Sequence, residues 1–500
     1  MLPSEFYNKN LAKRKPYEDR AINIAKISLP YMIRASGSSS TNTMDSTASQ
    51  SFNGGLINNL KAKMGMALLP PSTSSFRLKP DAVGMLQLFG GNEDAIAQLT
   101  QELSLKTDSI NSEIEVQQIR SDMFDALTQL IGVGSVVIEK VKKKGILLYP
   151  LKSFVVKLDS KGNPLTICVQ EKTSVLPKNI TPKEEKEDYE LYTMLNYDKD
   201  SDKWLMTQDI DGELVGEEKS YKDYDSLPFR YFGWNWMVGE DYHRPFAEDY
   251  YPDMNQVDKL AKLNTDGAII AAKSLVLVNP RGGRTRKQDV NDSDNGAIID
   301  GSAEDVTAFQ FGKNYDFQVS NGREAEIKKQ LQKAFLDTGS VTRDAERVTA
   351  EEIRVMAQQL EASTLAGVYS KMSLSWSKWI VERIMDELGI KFEAIEVSVL
   401  TGLDALGRSA EAQKQDAFVQ RLAAVDLKHW LKESELISRW AGFDGINTVN
   451  LVKTPEEVSK EMQAQQQAAQ QQALAQAGAE SAGKAGGEAI VNSMQGGQNG

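Results

Sequence analysis

Charged residues that could do chemistry are concentrated in one polar loop of this sequence. Residues 338–348 hold Arg343, Asp344, Glu346 and Arg347, two carboxylates between two guanidinium groups. Arginine guanidinium groups bind phosphates or carboxylates through paired hydrogen bonds. Nothing around the loop resembles a catalytic centre, so the residues alone leave the purpose of this charged loop open.

A helix start follows the loop directly. Thr349 and Glu352 have the T-x-x-E spacing of a capping box, in which each side chain satisfies the backbone amide of the other residue. Apolar residues then recur at helical spacing as far as Gly389, which predicts a helix over residues 349–389 that Gly367 could bend and Gly389 would cap. Such a helix would be about 58 Å long, which favours an elongated subunit or an oligomer, although an ordinary helical domain is an equally good interpretation.

A second basic cluster and an aromatic stretch offer weaker signals. The segment RGGRTRK could contact phosphate or an acidic partner protein, and a merely solvated loop fits it equally well. The aromatic residues between 229 and 251 have few basic neighbours, so we predict core packing for them and not base stacking. The candidates of the basic cluster are Arg281, Arg284, Arg286 and Lys287.

The sequence lacks the motifs of several common enzyme classes. The phosphate-binding motif G-x-x-x-x-G-K-[ST], the nucleophile motif G-x-S-x-G and the zinc motif H-E-x-x-H do not occur. The two histidines, His243 and His429, fit surface or satisfied core positions, and with Cys168 they are too few for a usual zinc site. Acidic pairs such as Glu351 and Glu352 are common on charged helix faces. We therefore predict no catalytic residues, no metal site and no cofactor.

Composition sets further bounds. The 500 residues are 41% hydrophobic, enough for a sizeable core and two to four structural units. The net charge of −12 argues against a protein that grips nucleic acid over its whole surface, because phosphate binding is driven by lysine and arginine. A single cysteine fits a reducing compartment, and neither a signal peptide nor a membrane-spanning run is recognisable. We expect a soluble intracellular chain.

The order of elements predicts an α+β protein that is mainly helical. Residues 1 to about 35 are expected to be helical, and short β-branched or aromatic runs between about 135 and 235 predict a small antiparallel β unit. Helical patterns at 253–278 and 319–337 flank about forty turn-rich residues. The tail from Pro455 is rich in glutamine and alanine and then in glycine, a composition typical of partial disorder.

This order resembles the portal protein, or head-to-tail connector, family of short-tailed, podovirus-type bacteriophages. The resemblance lies also in short motifs spread from about residue 15 to 410: AERVTAEEIRV (Ala345 to Val355), LINNLKAKMGMALLPP, LKSFVVKLDSKGNPL, LVLVNP and LTGLDALGR (Leu400 to Arg408). Pro252 and Asp253 depart from the family pattern, and the C-terminal part matches only in composition.

The resemblance implies a mainly α-helical portal fold whose copies form a dodecameric ring around double-stranded DNA. Arg343 and Arg347 would face the DNA, and Arg281, Arg284, Arg286 and Lys287 would make contacts in the clip, which would also hold short strands. The acidic composition would give the ring a wall that repels phosphates. The implied regions are a wing (1–252), stem helices (253–278 and 319–337), a clip (279–318), a tunnel loop (338–348), a long wing or crown helix (349–389), a crown (390–454) and a tail (455–500).

The partners implied by the resemblance are the major capsid protein, scaffolding protein, terminase large subunit and tail adaptor or tube proteins, with no membrane. The ring would be assembled in the host cytoplasm and reside at one vertex of the virion. Two alternatives stay open: another virion component, such as an internal core or scaffolding protein, and a nucleic-acid enzyme that uses carboxylates. For Arg343 and Arg347 the alternative is ion pairing between subunits with Asp344 and Glu346.

Overall fold

The computed structural model describes most of the first 400 residues and a few beyond them. Two compact units are separable, one comprising Met1–Gly84 with Thr107–Asp404 and the other Met85–Lys106 with Ala405–Gly500. No helix among the described residues is long and apolar enough to span a bilayer. The described residues are 1–33, 48–70, 74–80, 93–174, 187–272, 275–278, 285–292, 298, 304, 306–309, 314–337, 355–356, 358–360, 362–363, 365–390, 395–399, 415–422, 436, 458, 460 and 464.

The described chain is mainly helical with small antiparallel sheets, as predicted. Its helices are α1 (Pro3–Lys26), α2 (Phe52–Leu68), α3 (Glu93–Val116), α4 (Ile119–Gly132), α5 (Phe246–Asp249), α6 (Tyr251–Ala272), α7 (Lys287–Asn291), α8 (Asn314–Ala334), α9 (Ala366–Met372) and α10 (Lys378–Leu388). Its strands are β1 (Phe76–Pro80), β2 (Ser135–Val141), β3 (Gly145–Tyr149), β4 (Phe154–Leu158), β5 (Pro164–Thr173), β6 (Tyr189–Asp198), β7 (Lys203–Ile210), β8 (Glu213–Leu214), β9 (Lys219–Tyr221), β10 (Phe229–Gly233), β11 (Leu275–Val278), β12 (Val306–Phe309) and β13 (Ile395–Val399).

The predicted β unit is present as two antiparallel sheets. One has the order β4-β5-β6-β7-β8 with β9 also on β7, and the other has the order β10-β2-β3. The turn before β5 forms because the Asp159 carboxylate accepts the Lys161 and Asn163 amides at 2.7 and 2.8 Å. Asp211 and Gly212 both have positive φ, 51° and 82°, as a tight hairpin turn requires.

The first helix ends earlier than predicted, at Lys26 and not near residue 35. After Lys26 the Ser28 hydroxyl donates to the Ile24 carbonyl at 2.6 Å, and the Ser28 amide reaches Ala25 at 3.1 Å. Pro30 has no amide to donate, so the helical ladder cannot continue through it.

The helical hairpin exists, but its predicted bounds need correction. The predicted helix 253–278 ends at Ala272, and Leu275–Val278 is instead strand β11, paired antiparallel with β12. A run of leucine and valine fits a pleated strand as soon as a partner strand is available. The second helix begins at Asn314, five residues before the predicted start, and ends at Ala334.

The predicted single helix over 349–389 is wrong in the part that the structure describes. A turn interrupts it at Ser363, whose hydroxyl donates to the Leu360 carbonyl at 2.6 Å and accepts the Leu365 amide at 3.1 Å. A π-helical segment, Ser373–Ser377, then separates α9 from α10. The predicted C-cap is confirmed, because Gly389 has φ 70° and Ile390 donates to Met385 at 2.9 Å. The capping box at Thr349 lies outside the described residues.

The aromatic stretch packs in the core, as predicted. Phe232 stacks on Trp376 with ring centroids 4.7 Å apart, and Trp234 and Phe246 are buried 5.5 Å from each other. His243 is a satisfied core residue, with its Nδ1 2.9 Å from the Tyr231 hydroxyl.

Candidate functional site

The two long helices of the hairpin, α6 and α8, are joined by polar side chains between them. Asn264 donates to the Glu324 carboxylate at 2.6 Å and accepts from the Ser320 hydroxyl at 2.8 Å. Glu324 also pairs with Lys328 at 2.6 Å. These directional bonds fix the register of one helix against the other, which apolar contacts alone would leave freer to slide.

Helix α2 binds both helices of the hairpin at their shared base. The Asn53 amide, fully buried, donates to the Ile27 carbonyl at 3.1 Å and to the Met254 carbonyl in the first turn of α6 at 3.0 Å. One turn and a half further along α2, Asn59 donates to the Phe335 carbonyl just after α8 at 3.2 Å. One face of α2 therefore contacts the start of α6 and the end of α8.

The end of α8 has an unusual backbone conformation. Asp337 donates to Gln332 at 2.7 Å and Leu336 to Lys333 at 3.3 Å, the two hydrogen bonds of a Schellman cap. Leu336 holds the left-handed position with φ 56°, where glycine is usual. A leucine there costs roughly 1–2 kcal/mol, so neighbouring contacts have to stabilise it.

Lys63 of α2 supplies one such contact. Its ammonium donates to the Leu336 carbonyl, and the residue is 1% exposed. Desolvation lowers the pKa of Lys63, and the nearby Asp337 partly opposes this shift. A cation at the carboxyl end of a helix also interacts favourably with the helix dipole.

An aromatic cluster closes the same base. Phe335 is fully buried, with its ring centroid 4.9 Å from that of Phe246 and 5.5 Å from that of Tyr250. Hydrogen bonds and ring packing together fix where the chain leaves α8, immediately before residue 338.

The solvent face of the hairpin is basic although the chain as a whole is acidic. Where burial on α6 and α8 is described, the exposed ionic residues are five basic and two acidic. Four of the five basic residues are lysines, and none of the four has an ion-pair partner among the described residues. They are Lys259, Lys262, Lys329 and Lys333. The acidic wall expected from the net charge therefore does not extend to this face.

The predicted site residues are only partly described. Arg343 and Arg347 of the loop, with Asp344 and Glu346, lie outside the described residues, as do Arg281 and Arg284. Arg286 and Lys287 are exposed at the start of α7. The described residues contain no group of carboxylates, histidines or cysteines able to hold a metal ion.

Sequence reasoning missed the contacts that α2 makes with the hairpin. A signal was available, because Asn53, Asn59 and Lys63 are polar residues among the apolar residues of α2, and polar side chains that become buried require partners. Which carbonyls they bind depends on the tertiary fold. The free lysines of the hairpin were not identified either, since separating them from paired ones needs coordinates.

Comparison with known proteins gives a consistent result. Residues 4–426 match the family described as "Bacteriophage head to tail connecting protein". The chain is 30% identical over 475 residues to the "Portal protein" of Escherichia phage T7, covering 90% of this chain and 88% of that relative. It is 29% identical over 478 residues to the "Portal protein" of Enterobacteria phage SP6, covering 92% and 91%.

A solved structure matches more weakly. A chain of "Neck of native GTA particle computed with C12 symmetry" is 11% identical with a TM-score of 0.34, covering 77% of this chain and 89% of that chain. A TM-score this low supports no argument.

Proposed function

The chain belongs to the family of bacteriophage head to tail connecting proteins, and from this premise we propose that it forms a ring-shaped DNA conduit at one vertex of a capsid. The genome would enter and leave through the ring, so the protein would be a component of the virion and not an enzyme. A family match over residues 4–426 supports this function over that of an internal core or scaffolding protein.

The hairpin and its base are the observation that carries the proposal. Helices α6 and α8 are fixed to each other and to α2, and their described solvent face carries free lysines. A conduit for a polyanion needs rigid walls and weak, exchangeable contacts to phosphate. Isolated exposed lysines suit this, because each is a mobile point charge with no fixed fork geometry.

The regions inferred from the sequence are retained with the helix bounds of the structure. The wing would be residues 1–252, the stem helices α6 and α8, and the clip the connection between them, including β12. The crown would follow residue 390. Terminase large subunit and later tail adaptor or tube proteins would bind the clip, while major capsid and scaffolding proteins would contact the ring during its assembly in the host cytoplasm.

The loop 338–348 would project into the channel from the base described above. Arg343 and Arg347 would then face DNA, and the clip cluster (Arg281, Arg284, Arg286 and Lys287) would contact a partner. The fixed exit of the chain at Leu336 and Asp337 supports this, because a charged loop can act at a defined place only if its root is held.

Electron microscopy of the purified chain tests the ring. We expect closed rings of about twelve subunits with a central hole, because subunits joined head to tail form a ring when the rotation between neighbours closes. Native mass spectrometry of the same sample would give the copy number. A protein that stays monomeric at every concentration would contradict the proposal, and compact assemblies without a hole would favour an internal core or scaffolding component.

A paired substitution tests the loop. Arg343→Ala with Arg347→Ala should leave rings intact and reduce the DNA packaged or retained per particle, because the loop cations nearest the DNA are gone. Lys199→Ala with Lys203→Ala is the matched control, since both lysines are exposed, one in the β6–β7 turn and one at the start of β7, and their replacement removes the same charge. Equal DNA content in the two variants would contradict the DNA-facing role, and loss of rings in the arginine variant alone would indicate ion pairs between subunits.

A further inference from the structure

A cleft with an aromatic wall lies outside the hairpin. It has a volume of about 410 Å³ and includes residues of β10, of the turn before β5 and of helix α9. Tyr197, Trp204 and Tyr224 form its wall, with successive ring centroids 5.9 and 5.2 Å apart. The Arg230 guanidinium carbon lies 4.3 Å from the centroid of the Tyr224 ring. A concave surface of this size lined by aromatic rings suits an apolar side chain of a ligand or a partner.

Most charges at the cleft are already compensated. Arg230 pairs with Asp225 at 2.5 Å, and Lys378 in an adjoining pocket of about 320 Å³ pairs with Glu382 at 3.8 Å. The carboxylate of Asp159 accepts backbone amides of its own turn. These groups have little capacity left for a further partner.

Lys371 is the exception. It borders both pockets, it is exposed, and no ion pair joins it to any carboxylate that the structure describes. Desolvation lowers the pKa of its amine, and burial together with this neighbouring charge lowers the pKa of His243 to about 3. With a neutral histidine beside it, the ammonium is an uncompensated positive charge next to an aromatic wall. The complementary partner is a carboxylate adjacent to an apolar side chain.

The chain itself presents that combination on another part of its surface. Strand β8 consists of Glu213 and Leu214, and Leu214 is 60% exposed. Glu217 and Glu218 follow in the same exposed segment. None of these three carboxylates has an ion-pair partner among the described residues. An exposed leucine flanked by free carboxylates matches the cleft in both polarity and charge.

The aromatic wall of the cleft and strand β8 lie at different ends of β7. Trp204, at the start of β7, lines the cleft, whereas Glu213 pairs with Ile210 at the other end of β7. Six residues of strand at about 3.3 Å each separate the two ends by about 20 Å. A contact between β8 of one subunit and the cleft of the next is head-to-tail, and such a contact forms a ring when the rotation that repeats it closes.

We propose that Glu213 and Leu214 of each subunit insert into the cleft of the next subunit, where the carboxylate pairs with Lys371 and the leucine packs on the aromatic wall. The inference rests on the ring of the proposed function and names one of the contacts that would join its subunits.

A charge exchange tests the ion pair. Lys371→Glu and Glu213→Lys should each raise the concentration at which half the protein is in rings by about tenfold, because each places like charges together. The double variant should return to within about twofold of the unmodified chain. Lys9→Glu is the control, since Lys9 is exposed on α1 with no ion pair among the described residues, and it should have no effect. Failure of the double variant to recover would overturn the proposal.

A disulfide tests proximity directly. Lys371→Cys combined with Glu213→Cys should give covalently linked chains under oxidation, while each single variant should not; the natural Cys168 is buried and cannot substitute. Bridged Cα atoms lie about 4–7 Å apart, whereas the end of β7 that lines the cleft lies about 20 Å from the end that pairs with β8, so we expect the bridge to join two chains. Rings that remain uncrosslinked, or a crosslink from position 371 to a different protein in virions, would overturn the contact and leave the conduit standing. An unmodified chain that never forms rings would instead remove the proposed function itself.

Discussion

Replacing Lys63 by methionine should loosen the exit of the chain from α8. Methionine retains most of the length and apolar contacts of the lysine, and the change removes the charge-assisted hydrogen bond to the Leu336 carbonyl. Such a bond contributes about 1.5–3 kcal/mol, and the desolvation of the ammonium, visible in the lowered pKa of Lys63, offsets part of it. We expect a local loss of about 1–2 kcal/mol, which corresponds to roughly a 5–30-fold change in the local opening equilibrium.

Hydrogen exchange followed by mass spectrometry measures this opening. The amides to follow are those of Leu336 and Asp337, which close the Schellman cap, and their exchange should accelerate by that factor in Lys63→Met. Lys61→Met is the matched control, because Lys61 lies on the same helix and, within the described chain, has no hydrogen bond or ion pair. Equal exchange at these amides in the two variants would refute the reasoning. Adding Leu336→Gly to Lys63→Met should slow exchange again, since glycine adopts φ 56° without the cost paid by leucine.

Two buried ionic groups give further predictions, each measured as the urea midpoint against pH. Glu387→Ala should lower the free energy of unfolding by about 3–5 kcal/mol, because it leaves Lys140 buried without the carboxylate 2.9 Å away. Burial acts to raise the pKa of Glu387, but the hydrogen bond and charge of Lys140 outweigh it and hold that pKa down. This stability is therefore present above the pKa of the unfolded chain and is lost as pH falls through the pKa of the folded one. Glu139→Gln should stabilise the protein at neutral pH, because the single hydroxyl proton of Tyr149 cannot be donated to both Glu139 at 2.8 Å and Glu171 at 2.9 Å. Burial raises the pKa of Glu139, so this group stabilises the unmodified chain below the pKa of the unfolded state, and the contribution is lost as pH rises through the pKa of the folded state. An unchanged urea midpoint in Glu139→Gln would contradict this account.

The sequence predicted the β unit well because the strands carry local signals. The β-branched and aromatic runs predicted between about 135 and 235 correspond to strands β2 to β10, which extend from Ser135 to Gly233. Helix ends were predicted less well, because they depend on distant partners. Leu275–Val278 continues an apolar pattern that a helix could also show, and only pairing with β12 makes it a strand. The interruption at Ser363 likewise depends on a side-chain bond that competes with the helix.

The helical hairpin was predictable from the order of apolar patterns, whereas the contacts at its base were not. Periodicity does not say which carbonyl a side-chain donor reaches, so the bonds of Asn59 and Lys63 to the end of α8 could not be predicted. The predicted roles of the loop arginines stay predictions. The sign of charge at a particular surface was also not predictable.

The net charge of the chain and the charge of a particular surface differ in this protein. Carboxylates such as Glu324 and Glu387 are paired with the ammonium groups of Lys328 and Lys140, and each pair contributes little field at the surface. The lysines exposed on α6 and α8 have no such partners among the described residues. A phosphate approaching within a Debye length, about 8–10 Å at ordinary ionic strength, therefore responds to these nearby cations and not to the total of −12. An acidic protein can in this way present a locally basic surface, here the described solvent face of α6 and α8.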